Sequence, residues 1–364
     1  MKKSLITFAV AAAIAAPMTV NAAESKSKPK AKFFGYTQIT AASGKGSVGN
    51  KNDGLRFGAD SIRLGYKIKH DKIWGMLQVD FNKTDRPDQN GVPEIIKDAV
   101  VGYKFSGAAK VRAGHFKTPV GMDFSNPSKQ LDITKRGMEA GLVLERAAGL
   151  MVSGRNINGF GYDLGVFNPT IRSYAVVGGD AGTDSAYAGR VMFDTEALHL
   201  EVSYGSSEAA GDVGASATLG PDGTISTTPA VTNSQDYTVM GVAGSYKTGP
   251  MTFKAEYIAG SDVKGKKGYD ESVWYLHGGY AINKKNEVVI RHYAANSKPK
   301  SGRDTDLGNT YIGWNIFLAE KKKDARIQLN YVVVSGDDKK FNGKATKKFA
   351  YTDNIFLAQF QVGF

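Results

Sequence analysis

Arginine and lysine recur at alternate positions of segments that otherwise read as apolar: Arg63, Lys67 and Lys69 in IRLGYKIK, then Lys104, Arg112, Arg190, Lys254, Arg291 and Arg326. All occupy the polar parity of their segments. Fixed positive charges sharing one face of a water-filled space with low-dielectric walls raise the local anion concentration and repel cations. That chemistry is attraction and release, with no bond made or broken. The alternative is charge balance, with the same cations paired to Asp80, Asp98, Asp163 or Glu256.

Four further cations, Lys117, Lys129, Lys135 and Arg136, lie in KTPVGMDFSNPSKQLDITKRGMEAGLVLER, from Lys117 to Arg146. Over 117–145 they are matched by Asp123, Asp132, Glu139 and Glu145, so the segment carries no net charge and no dense lysine cluster. Its length and apolar content are wrong for a free surface loop. It is expected to fold inward as a constriction, with an external lid as the competing arrangement.

Signatures of catalysis are scarce. His70, His115, His199, His277 and His292 are scattered, without the paired spacing of a zinc site, and there is no cysteine to supply thiolates. GKGS at 44–47 lacks the upstream glycine of a phosphate loop, and GFGYDLG at 159–165 alternates like a strand. No Ser and His pair is nominated by spacing. The expectation is a protein that is not an enzyme and needs no cofactor, with an outer-membrane lipid hydrolase ranked last.

The elements that must position these charges are strands. In ARIQLNYVV (325–333), Ile327, Leu329, Tyr331 and Val333 share one face while Arg326, Gln328 and Asn330 share the other. The same alternation runs through 62–69 and 73–82 and recurs along the chain, to a total of about 16 strands, an even number as bacterial outer-membrane barrels require. Connections alternate short and long: HDK (70–72), SGAA (106–109), DTEA (194–197), KTGP (247–250) and NKKN (283–286) separate long polar stretches. A soluble sandwich has no reason to sort its loops by length to one end, whereas an up-and-down membrane barrel does so. Lipid outside and water inside satisfy both faces; an Arg or Lys on the lipid face near the midplane costs about 2–4 kcal/mol, which explains the parity of the cations. Tyr103, Phe105, Phe193, Tyr246 and Phe253 stand near strand ends as an interfacial girdle.

The chain has 364 residues and a formal charge of +12. MKKSLITFAVAAAIAAPMTVNA reads as a secretory signal, with Lys2 and Lys3 before an apolar run and a small-residue cleavage site at Val20–Ala22. The domain reading is therefore 1–22 signal peptide, 23–31 a short basic periplasmic leader, and 32–364 the barrel. No nucleic-acid partner is expected. The basic stretch DDKKFNGKATKK (337–348) reads as a surface loop facing lipopolysaccharide, or as the contact surface of a scaffold or adhesin.

The chain ends LAQFQVGF. Phe356, Ala358, Phe360, Val362 and Phe364 share the parity of a lipid face, with Leu357, Gln359, Gln361 and Gly363 opposite. This closing strand must pair with the first, near 32–40, because an open edge in lipid leaves backbone groups unsatisfied. Phe360, Val362 and Phe364 also resemble the signal read by the barrel-assembly machinery.

VRAGHFKTPVGMDFS, LERAAGLMVSGR, GYDLGVFNPT, MTFKAEYI, YIGWNIFL with RIQLNYV, and FQVGF together resemble the phosphate-selective porin O and P family across nearly the whole exported chain. The resemblance implies an outer-membrane homotrimer of β-barrels, a third loop folded into the pore, and passive uptake of phosphate or related anions guided by pore-lining arginines and lysines. The expectation is an all-β transmembrane antiparallel up-and-down barrel that passes small hydrophilic solutes with a preference for anions. A general porin without charge selection is the alternative. The named candidates are Arg63, Lys67, Lys104, Arg112, Lys117, Lys129, Lys135, Arg136, Arg190, Lys254, Arg291 and Arg326.

Overall fold

The structure, a computed structural model, describes residues 28–45, 54–83, 94–169, 185–208, 216–219, 225–228, 236–321, 323–337 and 340–364. The expected signal peptide and most of the leader lie outside them, so neither is described. The strands are β1 (Lys30–Ser43), β2 (Leu55–His70), β3 (Ile73–Asp80), β4 (Ile96–Lys104), β5 (Lys110–Lys117), β6 (Arg146–Ile157), β7 (Phe160–Phe167), β8 (Ala186–Asp194) and β9 (Leu198–Ser207). After a small hairpin, β10 (Ser216–Leu219) with β11 (Ile225–Thr228), come β12 (Tyr237–Thr248), β13 (Met251–Ser261), β14 (Asp270–Ala281), β15 (Asn286–Lys298), β16 (Thr305–Phe317), β17 (Ala325–Gly336) and β18 (Ile355–Gly363).

All strands except β10 and β11 form one closed barrel in which each pairs antiparallel with its chain neighbours and β1 pairs with β18. Closure sets Gln38 against Gln361 and Thr40 against Gln359, and Phe364 and Gly35 exchange backbone hydrogen bonds at 3.1 and 3.3 Å. No strand edge of the barrel is left over, as a sheet in hydrocarbon requires. β1 begins at Lys30, inside the expected leader, because Lys30 and Ala31 find partners in Lys69 and Ile68. β2 likewise starts earlier than its alternation suggests, at Leu55, paired with Ser43.

Alternation decides which face each side chain takes. On β18, Phe356, Phe360 and Val362 point outward and are exposed, whereas Leu357, Gln359 and Gln361 are buried inside. Trp274, Leu276 and Tyr280 do the same on β14 against buried Tyr275 and His277. Phe105, Tyr246 and Phe253 form part of the expected girdle at the short-turn end, with Tyr246 directly opposite Phe253. The turns there are tight: Asn158 and Gly159 both adopt positive φ, 51° and 85°, between β6 and β7, as a two-residue hairpin matched to strand twist demands.

Among the described residues, two of the long connections at the opposite end turn inward. Residues 118–145 enter the barrel after β5, and residues 341–350 descend onto them from the last long connection. A Cβ on Gly141 would sit 2.3 Å from the carbonyl oxygen of Ala345, so the two segments touch through backbone. The apolar core of the molecule is here, inside the barrel: Val120, Ile133, Met138, Leu142 and Leu144 of the inward loop pack with Phe341 and Ala345 and with the wall residues Tyr275, Tyr293, Tyr311 and Val332. The basic stretch 337–348 is therefore not a displayed surface loop along its length; Phe341, Ala345 and Thr346 are fully enclosed.

Candidate functional site

The inward loop is fixed to one side of the barrel. Its one-turn helix α1 (Met122–Ser125) follows Gly121, which has φ 83°, a conformation that strains any residue with a side chain. The Met122 and Asp123 N–H groups donate to the Glu256 carboxylate at 2.8 and 3.1 Å, and the Gly121 N–H to Ser203 Oγ at 3.2 Å. Further along, Arg326 donates to the Leu131 carbonyl at 2.8 Å, Asn315 to the Asp132 carbonyl at 3.0 Å, and the Thr134 N–H donates to Asn330 Oδ1 at 2.8 Å. Gln359 and Gln361 of the closing strand reach the Thr134 and Lys129 carbonyls at 3.1 and 3.2 Å. Many buried backbone groups of the loop thus find a side chain on the barrel wall, chiefly on β13 and β16–β18, which is what a loop enclosed away from water needs.

Ion pairs reinforce this seat. Arg291 donates to Asp123 and Asp132, each at 3.0 Å, and Lys254 donates to Asp132 at 2.6 Å. Burial favours the protonated form of both acids, but Lys254 and Arg291 outweigh it and hold Asp132 well below the ordinary carboxylate range. Arg291 does the same for Asp123. Glu139 is different: both its carboxylate oxygens are enclosed without a hydrogen-bond partner, and burial, then the nearby Asp123 charge, push it up to about 7. Beneath the loop Tyr275, Tyr293, Tyr311 and Tyr351 form a row with ring centroids 5.1, 5.8 and 6.2 Å apart. Gly137 lies flat on Tyr293, where a Cβ would come within 2.1 Å of the ring.

What remains open is bounded by the other wall, β1–β8, and the loop's outer face. Described residues enclose two chambers in it. The long-loop chamber, about 540 Å³, is lined by Lys97, Lys135, Arg136 and Lys348, and the short-turn chamber, about 660 Å³, by Lys67, Lys110, Arg112, Lys117, Lys129, Arg155 and Arg190. Arg63 and Arg146 line both, so these two arginines stand between the chambers. Among the described residues, seven Lys and Arg stand against three carboxylates in the first chamber and eleven against two in the second. Asp80, Asp163 and Glu201, which line neither chamber, pair with three of these arginines from behind. At the short-turn mouth a further cavity of about 510 Å³ holds Lys30, Lys32, Lys67 and Lys69 beside Trp74. Lys30 faces Lys69 and Lys32 faces Lys67 directly across the β1–β2 ladder, a like-charge arrangement that costs stability.

Several of these cations are held by rings rather than by acids. Lys67 lies 4.9 Å from the centre of Phe34, Arg112 4.5 Å from Phe116, and Lys117 and Arg136 lie 4.9 and 5.4 Å from Phe124. Lys117 also donates to the Phe124 and Asn126 carbonyls at 2.5 and 2.6 Å. A ring or carbonyl orients a cation without cancelling its unit charge. Other cations are paired, as the charge-balance alternative expects: Arg63 with Asp80 at 2.8 Å, Arg146 with Asp98 at 3.5 Å, Arg190 with Asp163 at 2.7 Å and Glu201 at 2.9 Å, and Lys135 with Asp60 at 2.9 Å.

The candidates therefore divide. Arg63, Lys67, Arg112, Lys117, Lys129, Lys135, Arg136 and Arg190 border the open lumen. Arg291 and Arg326 share their parity but are fully buried behind the inward loop, and Lys254 is tied to Asp132 there; these three are loop anchors and do not line the pore. Lys104 is exposed at the strand end and borders neither chamber. The zero net charge counted over 117–145 does not describe the loop's outer face either, because Asp123 and Glu139 are enclosed and Asp132 is turned to the wall. Lys32, Lys97, Lys110, Arg146 and Arg155 also line the lumen and fall outside the candidates read from sequence, though Lys110 and Arg112 share a parity that extends the same pattern.

A family model described as Gram-negative porin matches residues 9–298. Among solved structures, OmpT of Vibrio cholerae, folded in vitro and in trimer form, superposes with a TM-score of 0.61 at 16% identity, covering 93% of this chain and 100% of that one. An anion-selective porin from Comamonas acidovorans gives 0.65 at 13% identity, over 93% and 100% of the two chains. The outer membrane channel DcaP of Acinetobacter baumannii gives 0.62 at 15% identity, over 93% and 99%. At such identities the likeness is one of fold. A search of curated proteins finds no significant match to the sequence.

Proposed function

This chain belongs to the Gram-negative porin family, and from that premise we propose that it is an anion-preferring diffusion channel of the bacterial outer membrane. Phosphate and related oxyanions are among its solutes in this reading, as the sequence's resemblance to phosphate-selective porins implies. The observation that carries it is the cation excess of the two chambers, eleven against two and seven against three among the described residues. In a low-dielectric channel such an excess raises anion concentration and lowers cation concentration. Cations held over rings and carbonyls stay available to a passing anion, and the site remains weak because the anion keeps part of its water.

Assembly as a homotrimer is supported by the trimer form of the Vibrio cholerae structure. Residues 1–22 act as the export signal in this reading, and the closing strand with Phe360, Val362 and Phe364 is the surface offered to the barrel-assembly machinery. Lipid meets the outward apolar band, and the lysines of the long-loop end meet lipopolysaccharide.

The test is electrical. Purified channel in a planar bilayer under a KCl gradient should show a zero-current potential of the sign set by chloride, and added phosphate should reduce chloride conductance. A potential set by potassium overturns the anion reading; chloride conductance indifferent to phosphate removes the oxyanion part and leaves a general anion channel.

A further inference from the structure

We propose that Arg291 is a positioning residue that sets the selectivity of the channel: by pairing with Asp123 and Asp132 it keeps the inward loop on the β13–β18 wall with those carboxylates turned away from the pore. This rests on the anion-preferring reading above and adds the device that makes it possible for a loop of zero net charge.

Arg291 is fully buried, yet all its nitrogens are engaged. Nη1 donates to Asp123 Oδ2 at 3.0 Å and to the Tyr293 hydroxyl at 2.9 Å, Nη2 to Asp132 Oδ2 at 3.0 Å, and Nε to His277 Nδ1 at 3.3 Å. Its guanidinium carbon lies 4.4 Å from the centre of the Tyr275 ring. One planar fork therefore bridges two carboxylates nine positions apart on the loop, a geometry that the single point charge of a lysine does not reproduce. Lys254 reaches only Asp132 among the acids described.

The same contacts perform two tasks. They seat the loop, and they hold Asp123, which is enclosed, and Asp132, whose side chain keeps 15% exposure, outside the linings of the two chambers. Neither residue lines a chamber, whereas Lys129, Lys135 and Arg136 of the same loop do; the loop's remaining lining carboxylate is Glu145. Without Arg291, Asp123 and Asp132 would share an enclosed space with Glu139 and Glu256, with Lys254 near them. Repulsion and desolvation then drive the loop off the wall toward the water of the pore. The carboxylates follow it, and the cation excess of the constriction falls.

The chain has no cysteine, so a single Thr134→Cys reports the loop's position. Thr134 is buried, with its N–H on Asn330 and its carbonyl accepting from Gln359. The expected result is slow reaction with a membrane-impermeant thiol reagent in the Thr134→Cys channel and fast reaction when Arg291→Met is added. In Arg291→Met the anion-to-cation permeability ratio should fall about fivefold, and adding Asp123→Asn with Asp132→Asn should restore it to within about twofold of the parent. Arg291→Lys should give an intermediate ratio. An introduced thiol that stays protected when Thr134→Cys is combined with Arg291→Met, an unchanged ratio, or failure of the two Asn substitutions to restore it overturns the proposal. If Arg291→Met does not assemble, Asp123→Asn with Asp132→Asn in the parent carries the test: a ratio within about twofold of the parent supports hidden carboxylates, and a marked gain in anion preference overturns them. The labelling arm stands apart from the anion reading, so a parent without anion preference sinks that reading while the loop's anchoring is still read directly.

Discussion

Arg291 and Asp123 lie 168 residues apart in sequence and 3.0 Å apart inside the barrel. That contact joins the wall to the loop, and its surroundings show why the lumen is lopsided: the loop's apolar side chains, with Asp123 and Glu139, are packed against one wall, and the open space lies against β1–β8. Each part of this arrangement should respond to a different substitution.

Arg112 stands over Phe116 in the short-turn chamber, with no carboxylate within ion-pair distance among the contacts described. Arg112→Glu changes the local charge by two units without removing a loop anchor. At a separation of about 8 Å in wet surroundings this is worth about 1 kcal/mol against an anion and as much in favour of a cation, roughly a fivefold change for each and about a thirtyfold fall in the anion-to-cation permeability ratio. Zero-current potentials of variant and parent at equal salt measure it, and the difference should shrink as salt rises.

Glu139 supplies a pH dependence. Its folded-state value is pushed up to about 7 by burial and by Asp123, above the ordinary carboxylate value, so the folded protein holds more protons than the unfolded chain between about pH 4.5 and 7. Loop seating should weaken as pH rises through that window. Glu139→Gln should flatten the dependence and leave the loop better seated above pH 7. Protease sensitivity of the loop measured from pH 5 to 8 in both proteins checks this. The depressed values of Asp123 and Asp132 act in the opposite sense and at pH below this window, where their ion pairs with Arg291 and Lys254 are lost.

Glu271 accepts from the backbone N–H groups of Lys344, Ala345 and Thr346 and from the Thr346 hydroxyl, at 2.6 to 3.0 Å. Glu271→Ala leaves those buried donors unpaired, at about 1–3 kcal/mol for each. The segment 341–350 should lift from the inward loop, and single-channel conductance should rise while the sign of selectivity is kept.

Deleting Phe364 removes the N–H and carbonyl that close β1 onto the chain's end at Gly35. Export should proceed, and the yield of heat-resistant barrel in outer-membrane fractions should fall, with unassembled chain recovered in the periplasm.

The barrel was legible because period-two alternation is a local property: the faces of 325–333 and of 356–364 fall where their parity puts them. The inward turn of 118–145 was legible from length and apolar content. Parity assigns a residue to the lumen side and says nothing of its place around the circumference, so Arg63 on the open wall and Arg291 under the loop looked alike. Counting charges along 117–145 failed for a related reason: Asp123 and Asp132 are matched by cations from β13 and β15, far off in sequence. The stretch 337–348 looked solvated because its lysines outnumber its apolar residues, yet Phe341 and the Glu271 carboxylate, some 70 residues away, draw it inward.

Anion preference requires that the cations of the open wall outweigh the carboxylates left in the lumen. The direct test is the zero-current potential of the parent channel in a planar bilayer separating tenfold different KCl concentrations. A potential of the sign dictated by chloride is the predicted result, and one of the sign dictated by potassium would contradict it.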